Sequence, residues 1–193
     1  MVNPGPVQFL CIFLSILAIS AWGQAGATEN MTNNELVILD FSRPADKQPW
    51  QVINDGVMGG MSRSEMVFTD RGTGVFQGTV SLENNGGFAS TRTSPQNFAI
   101  GDYSGLLLQV RGDGRDYQLR VRTDARFDGI SYRYRFATHP GGVQTVRAPF
   151  SDFEPVFRGQ VLENIPKLSP ADIQQIGFLI ADSKAGAFRL EID

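Results

Sequence analysis

Two short stretches constrain this chain more than any others. In Tyr117–Asp124, the residues Tyr117, Leu119, Val121 and Thr123 alternate with Gln118, Arg120, Arg122 and Asp124. In Ser131–Ala137, Tyr132, Tyr134 and Phe136 alternate with Arg133 and Arg135. Successive side chains of a strand point to opposite faces. Paired through Ala125–Gly129, the two stretches give a sheet with aromatics turned into a core and four arginines lining the other face. Like charges facing one another cost stability unless anions sit between them. Asp124, Asp128 or glutamates of other strands are internal candidates for that role. Otherwise the face awaits an acidic partner surface, an anionic sugar or a lipid headgroup.

The rest of the chain repeats this strand grammar. Turn signals recur every 8 to 12 residues or so, the pattern of an all-β sandwich. Strands are expected at Leu36–Phe41, Trp50–Asn54, Glu65–Thr69, Gly74–Leu82, Gly87–Thr93 and Gly105–Arg111, and then at the two stretches above. Val143–Ala148, Ile176–Ala181 and Ala187–Ile192 complete the set. Asp70-Arg71-Gly72 reads as a hairpin turn, and so does Asp113-Gly114. One helix start stands out: Ser169-Pro170-Ala171-Asp172 places an N-cap serine before a first-turn proline. The expected helix buries Ile173 and Ile176 and stops at Gly177, about two turns long.

Two glycine-rich corners carry the most distinctive residues. Trp50 opens a strand that runs into Asn54-Asp55-Gly56-Val57-Met58-Gly59-Gly60, and Asn84-Asn85-Gly86-Gly87-Phe88 leads into Ala89-Ser90-Thr91-Arg92. Gly, Asn and Asp supply the positive φ that such corners need. They read either as tight corners of a sandwich or as loops whose backbone approaches a partner. No GK[ST] follows, so neither is a phosphate loop. Arg92 shares a strand face with Phe88 and Ser90, beside a binding surface or paired with a sheet carboxylate. Phe150, Phe153 and Phe157, spaced by Pro149 and Pro155, read as a crossing loop pinned onto a core. His139 is the only histidine, and no G-x-S-x-G or H-E-x-x-H motif occurs. No cofactor, metal site or catalytic residue is expected.

Composition narrows the partners. The chain has 193 residues and a net charge of −3, with no basic excess for nucleic acid. Yet 14 of its 17 basic residues are arginine, the cation suited to forked surface pairing. Val7 to Gly23 is almost wholly apolar and is followed by Ala25-Gly26-Ala27, which reads as a signal peptide over 1–27. An uncleaved N-terminal anchor is the alternative. Residues 28–35 read as a flexible lead-in and 36–193 as a single β-sandwich domain. Cys11 lies within the apolar stretch, so a cleaved chain has no thiol for disulfides or zinc. The expected address is periplasmic or secreted, with no transmembrane segment after cleavage.

Several spaced motifs, in order, resemble the complex I intermediate-associated protein 30 family. They are Trp50 with Asn54-Asp55-Gly56-Val57-Met58-Gly59-Gly60, then Asn84-Asn85-Gly86-Gly87-Phe88-Ala89-Ser90 with Arg92, then Gly112-Asp113-Gly114 with Tyr117. Pro149-Phe150 through Phe153, Phe157-Arg158-Gly159, Ile176-Gly177-Phe178-Leu179-Ile180 and Phe188-Arg189-Leu190-Glu191-Ile192 follow. The resemblance implies a jelly-roll β-sandwich of the galactose-binding type and a non-enzymatic role, mitochondrial members helping to assemble respiratory complex I. The leader, apolar and without arginine, departs from a mitochondrial transit pattern.

The expectation is therefore an exported, non-catalytic binding or chaperone-like domain that docks on a protein or membrane assembly. A carbohydrate-binding module is the first alternative, with Trp50 or Tyr132 as the exposed ring that stacks on sugar. A jelly-roll enzyme is the second. Candidate ligand- or partner-binding residues are Trp50, Asp55, Met58, Arg92, Arg120, Arg122, Tyr132, Arg133 and Arg135.

Overall fold

A computed structural model describes residues 35–47 and 50–193. The expected leader, and the lead-in up to residue 34, lie outside the described residues. Among the described residues there are twelve strands: β1 (Gln51–Asn54), β2 (Arg63–Phe68), β3 (Gly74–Val80), β4 (Ala89–Arg92), β5 (Gly105–Arg111) and β6 (Asp116–Arg122). They continue as β7 (Ser131–Ala137), β8 (Gln144–Pro149), β9 (Glu154–Phe157), β10 (Gln160–Val161), β11 (Gln175–Ile180) and β12 (Gly186–Ile192). Two antiparallel sheets result. One runs β1-β4-β11-β6-β7-β9-β10, the other β2-β3-β12-β5-β8. This is the all-β sandwich that the strand pattern predicts, in the jelly-roll form that the family resemblance implies.

Alternation builds the core. Tyr117, Leu119, Val121, Phe136 and Phe178 face inward from the seven-stranded sheet, and Phe76, Val110, Val146, Phe188 and Leu190 are buried from the five-stranded one. Phe76 and Phe188 meet at 4.8 Å, and Tyr117 lies over Phe136 at 6.1 Å. The expected β6–β7 hairpin forms with Leu119 opposite Tyr134 and Arg120 opposite Arg133. The β2–β3 hairpin turns at Gly72, whose φ is +80°.

Four expectations change. Leu36–Phe41 is not a strand: Leu36 and Val37 are exposed, and only Phe41 is buried, against Trp50 and Phe68. The two-turn helix shrinks to a single 3-10 turn, Pro170–Asp172, and Ser169 makes no side-chain cap bond. Ile176 instead belongs to β11, which pairs with β6 along Gln175–Ile180 and with β4 along Gly177–Ile180. The segment after Phe153 is more than a crossing loop. Phe150 and Phe153 are buried as pins, but Glu154–Phe157 forms a strand that pairs with β7.

The fourth change concerns Asp113-Gly114, which crosses between the sheets and does not close a hairpin, because β5 and β6 lie in different sheets. Gly114 supplies φ +91°. The Asp113 carboxylate accepts from Arg115 N at 3.1 Å, from the Tyr117 hydroxyl at 3.0 Å and from Arg189 N at 2.7 Å. It thereby ties β6 of one sheet to β12 of the other. Arg115 adds a two-pronged pair with Asp182, at 2.6 and 2.9 Å. Asp113→Ala leaves the buried Tyr117 hydroxyl and the Arg189 amide without their acceptor. That change is expected to cost about 2 kcal/mol, read as a lower urea midpoint at an unchanged slope, whereas Tyr117→Phe is expected to cost about half as much.

Candidate functional site

The site begins with strand register. Arg92 of β4 lies opposite Gly177 of β11, Gly177 opposite Arg120 of β6, Arg120 opposite Arg133 of β7, and Arg133 opposite Glu154 of β9. These residues form one row across the outer face of the seven-stranded sheet. Arg122 and Arg135 flank the row on the same face, because they lie two residues along their strands. The face bounds a cleft of about 1140 Å³ whose lining includes Arg92, Arg120, Arg122, Arg133, Arg135 and Arg158.

The arginines differ in what they hold. Arg133 is buried and paired with Glu154 at 2.7 Å. Arg158 is exposed and paired with Asp128 at 2.7 Å. Arg120 donates only to neutral groups: Gln118 Oε1 at 2.8 and 3.0 Å and Ser131 Oγ at 2.8 Å. Arg122 donates to the Gly129 carbonyl at 3.3 Å. Arg92 donates through Nη2 to the Phe127 carbonyl at 3.0 Å and lies 5.2 Å from the Phe127 ring centre. Arg92 is only 9% exposed, and its Nε has no hydrogen-bond partner. Arg135 is exposed, and its side chain makes no hydrogen bond or ion pair among the described residues.

Electrostatics follow from this uneven pairing. Burial, then the charge of Arg122, pulls Arg92 down to about 10, against the opposing pull of Asp124 and Asp128. Burial, then Arg133, Arg122 and Arg135, pulls Arg120 down to about 10. Burial also lowers Arg122, again with Asp124 and Asp128 opposing. Both aspartates form their shorter pairs elsewhere, Asp124 with Arg126 at 2.6 Å and Asp128 with Arg158. The cleft therefore carries an excess of positive charge close to one line of backbone.

Asp55 shapes one rim of the cleft. It is fully buried and accepts from Ser62 N at 2.9 Å, Ser62 Oγ at 2.5 Å, Gly87 N at 2.7 Å and Phe88 N at 3.2 Å. One carboxylate thus clamps both glycine-rich corners together. A Cβ at Gly60 would lie 2.5 Å from its Oδ1, and one at Gly86 2.7 Å from its Oδ2, so both positions need glycine. The clamp leaves Val57 and Met58 exposed at the cleft edge. Phe127, 65% exposed, lies along the same cleft. Phe127 was not singled out from sequence; its only signal is an apolar ring in an otherwise polar connection.

Two ring candidates are placed elsewhere. Tyr132 is buried on the core face, with its hydroxyl bonded to the Pro166 carbonyl at 3.1 Å. Trp50 packs between Phe41 and Phe178, and its indole Nε1 donates to the Asp46 carbonyl at 3.0 Å. Neither ring is free to stack on a sugar, because each fills apolar volume that the sandwich needs. His139 is exposed and outside the cleft lining. Among the described residues, no three His, Cys, Asp or Glu side chains converge as metal ligands.

The family model of complex I intermediate-associated protein 30 matches residues 39–192. A Caenorhabditis elegans relative, named probable complex I intermediate-associated protein 30, mitochondrial, is 31% identical over 153 residues, covering 69% of this chain and 45% of the relative. The Mus musculus protein named complex I intermediate-associated protein 30, mitochondrial, is 29% identical over 177 residues, covering 81% and 54%. The chain thus spans about half the length of these relatives. Among solved structures, the family 11 carbohydrate-binding module of the Clostridium thermocellum cellulase Lic26A-Cel5E aligns with a TM-score of 0.55 at 16% identity, covering 74% of this chain and 86% of the module. The agarase AgWH50C aligns with a TM-score of 0.52 at 15% identity, covering 79% and 23%. These two likenesses show the fold alone.

The relatives correct one expectation. They are named as mitochondrial proteins, which overturns the signal peptide and the periplasmic or secreted address. That expectation rested on the apolar stretch 7–23 and the Ala25-Gly26-Ala27 site, which lie outside the described residues. Among the described residues, no helix is long and apolar enough to cross a membrane.

Asp55 also gives a pH test. Burial raises its pKa, but hydrogen bonds from Ser62, Gly87 and Phe88 outweigh burial and hold it below the usual carboxylate range. A lowered carboxylate stabilises the fold above the pKa of the unfolded chain, about 4, and that stability fades as pH falls through the folded value. Asp55→Asn sets an amide donor against backbone donors and is expected to cost about 3 kcal/mol at pH 7. The gap between wild type and variant in thermal midpoint is expected to narrow below about pH 4. A gap that stays constant to pH 2 would show that the carboxylate charge is not what clamps the corners.

Proposed function

This chain belongs to the complex I intermediate-associated protein 30 family, and from that premise we propose that it is a non-catalytic binding domain that holds an assembly partner in its arginine cleft. The observation that carries the reading is the cleft itself. Arg92, Arg120, Arg122 and Arg135 face it with no carboxylate bound to any of them among the described residues. Charge arranged in this way steers and orients an acidic surface. The exposed Val57, Met58 and Phe127 border the same cleft and offer the apolar contacts that an interface centre uses.

The relatives' name supports one class of partner: a protein of a complex I intermediate, in the mitochondrion named for those relatives. The role is docking, without bond-making chemistry. The carbohydrate-binding alternative has only the fold in its favour, since Trp50 and Tyr132 are committed to packing.

Arg120 and Arg135 are the pair to change, because neither holds a carboxylate. Arg133 is a poor choice, since removing it strands the Glu154 partner. Arg120→Ser combined with Arg135→Ser is expected to lower capture of complex I subunits from a mitochondrial detergent extract at least tenfold. The thermal midpoint is expected to stay within a few degrees of wild type, because Arg135 is exposed and the loss of Arg120's hydrogen bonds is offset by relief of its repulsion with Arg133, Arg122 and Arg135. Undiminished capture by the double variant would remove the cleft from the reading, and capture that soluble β-glucan abolishes would favour the carbohydrate alternative.

A further inference from the structure

Within the arginine row, Gly177 is the one position with no side chain. Its backbone is buried, and a Cβ there would overlap the Thr91 carbonyl oxygen and come within 2.7 Å of Arg92 Cβ. Side chains are therefore excluded by backbone contact on β4. The result is a notch with Arg92 on one strand and Arg120 on the other. Two strand spacings separate their backbones, about 10 Å. Two long guanidinium side chains rooted that far apart can converge on one small group over the glycine.

The donors at the notch are unfinished. Arg92 lines the cleft, and its Nε is buried and has no partner. A buried donor left unmade costs free energy, and natural structures nearly always satisfy one. The carbonyl of Phe127 takes only Nη2. Arg120 carries three hydrogen bonds, all to uncharged oxygens. Next along β6, Arg122 uses one nitrogen on the Gly129 carbonyl. Ion-paired carboxylates of this face bind other cations: Glu154 holds Arg133, Asp128 holds Arg158 and Asp124 holds Arg126.

We infer that the notch over Gly177 is a binding seat for one compact oxyanion, a phosphate or a carboxylate, held by Arg92 and Arg120 with Arg122 beside them. The inference rests on the reading of this face as the docking face and names the chemical group recognised there. A guanidinium fork matches either anion in two-pronged geometry. Burial lowers both Arg92 and Arg120, and the charge of Arg122 adds to the lowering of each; an anion seated among the three offsets that repulsion. Phosphate would come from a free or esterified phosphate; carboxylate would come from an acidic segment of the assembly partner.

Titration calorimetry of the full chain separates these sources. The probes are inorganic phosphate, the capped tetrapeptide acetyl-Glu-Glu-Glu-Glu-amide and its all-Gln counterpart, each in 150 mM NaCl. Saturable one-to-one binding of phosphate or of the Glu peptide, with none of the Gln peptide, is expected. Phosphate alone assigns a phosphate ligand, and the Glu peptide alone assigns a partner carboxylate. Arg92→Gln and Arg120→Gln are each expected to weaken binding at least tenfold, and Arg92→Lys, which keeps the charge but loses the fork, is expected to weaken it as well. Arg147→Gln, an exposed site on the other sheet, is expected to leave binding unchanged. No saturable binding of either anion, or equal losses in the Arg147 variant, overturns the inference. If the wild-type chain binds neither anion yet captures complex I subunits, the notch falls and the assembly reading stands. If it binds an anion through Arg92 but captures no subunit, the notch stands and the assembly reading falls.

Discussion

The constraint on which the rest depends is the close approach of β4, β11 and β6 at Gly177. Three strands meet there with no room for a side chain on the middle one. Any residue larger than glycine would push β11 away from β4 and break the ladder that carries Phe178 and Ile180 into the core. The same absence opens the outer face. Where a hydrophobic or polar side chain would separate Arg92 from Arg120, there is only backbone. Close packing inside and a cationic notch outside are two sides of one residue.

A sheet that carries this much unpaired positive charge is not arranged for stability alone. Arginine directly opposite arginine, as at Arg120 and Arg133, is a destabilising pair unless other groups offset it. Glu154 does so for Arg133, at the far end of the row. The near end has neutral oxygens only, from Gln118, Ser131, Gly129 and Phe127. Neutral acceptors satisfy hydrogen-bond geometry without cancelling charge. By contrast, Arg115 has a carboxylate partner in Asp182 and three backbone carbonyls, of Lys184, Gly186 and Ala187. The chain completes an arginine where one serves as a structural brace and leaves the cleft arginines incomplete. That contrast within one molecule favours a binding role over a generic preference for arginine.

Much of this was legible in the residues. The alternation in 117–124 and 131–137 separates core from cation face because strand period is a local property, insensitive to where the strands end up. What the sequence could not show was register. Nothing local places Gly177 between Arg92 and Arg120, since it lies 57 residues after Arg120 and 85 after Arg92 in the chain. Asp113-Gly114 has the composition of a hairpin turn, yet the flanking strands join different sheets, because turn chemistry fixes a local bend and not the partner of the next strand. The Pro170–Asp172 turn shows the same limit. Its cap signals are real, but Gln175–Ile180 gains two flanking ladders as a strand, and tertiary pairing overrides a short helix. Asp55 and its two glycine-rich corners lie between these cases. The need for glycine was visible, whereas its cause, a buried carboxylate shared by both corners, required the fold.

The chemistry open to such a cleft is also bounded. A guanidinium drawn down to about 10 still holds its proton at neutral pH by about a thousandfold. It cannot serve there as a base that takes up and releases protons. What it can do is hold an anion in a fixed orientation, more tightly as water is excluded from around it. Around that charge lie Val57, Met58 and Phe127, exposed apolar groups that make no use of a proton. Charge at the centre and apolar contact at the border suit a surface that recognises and holds. The register around Gly177 sets that charge in one row of the sheet.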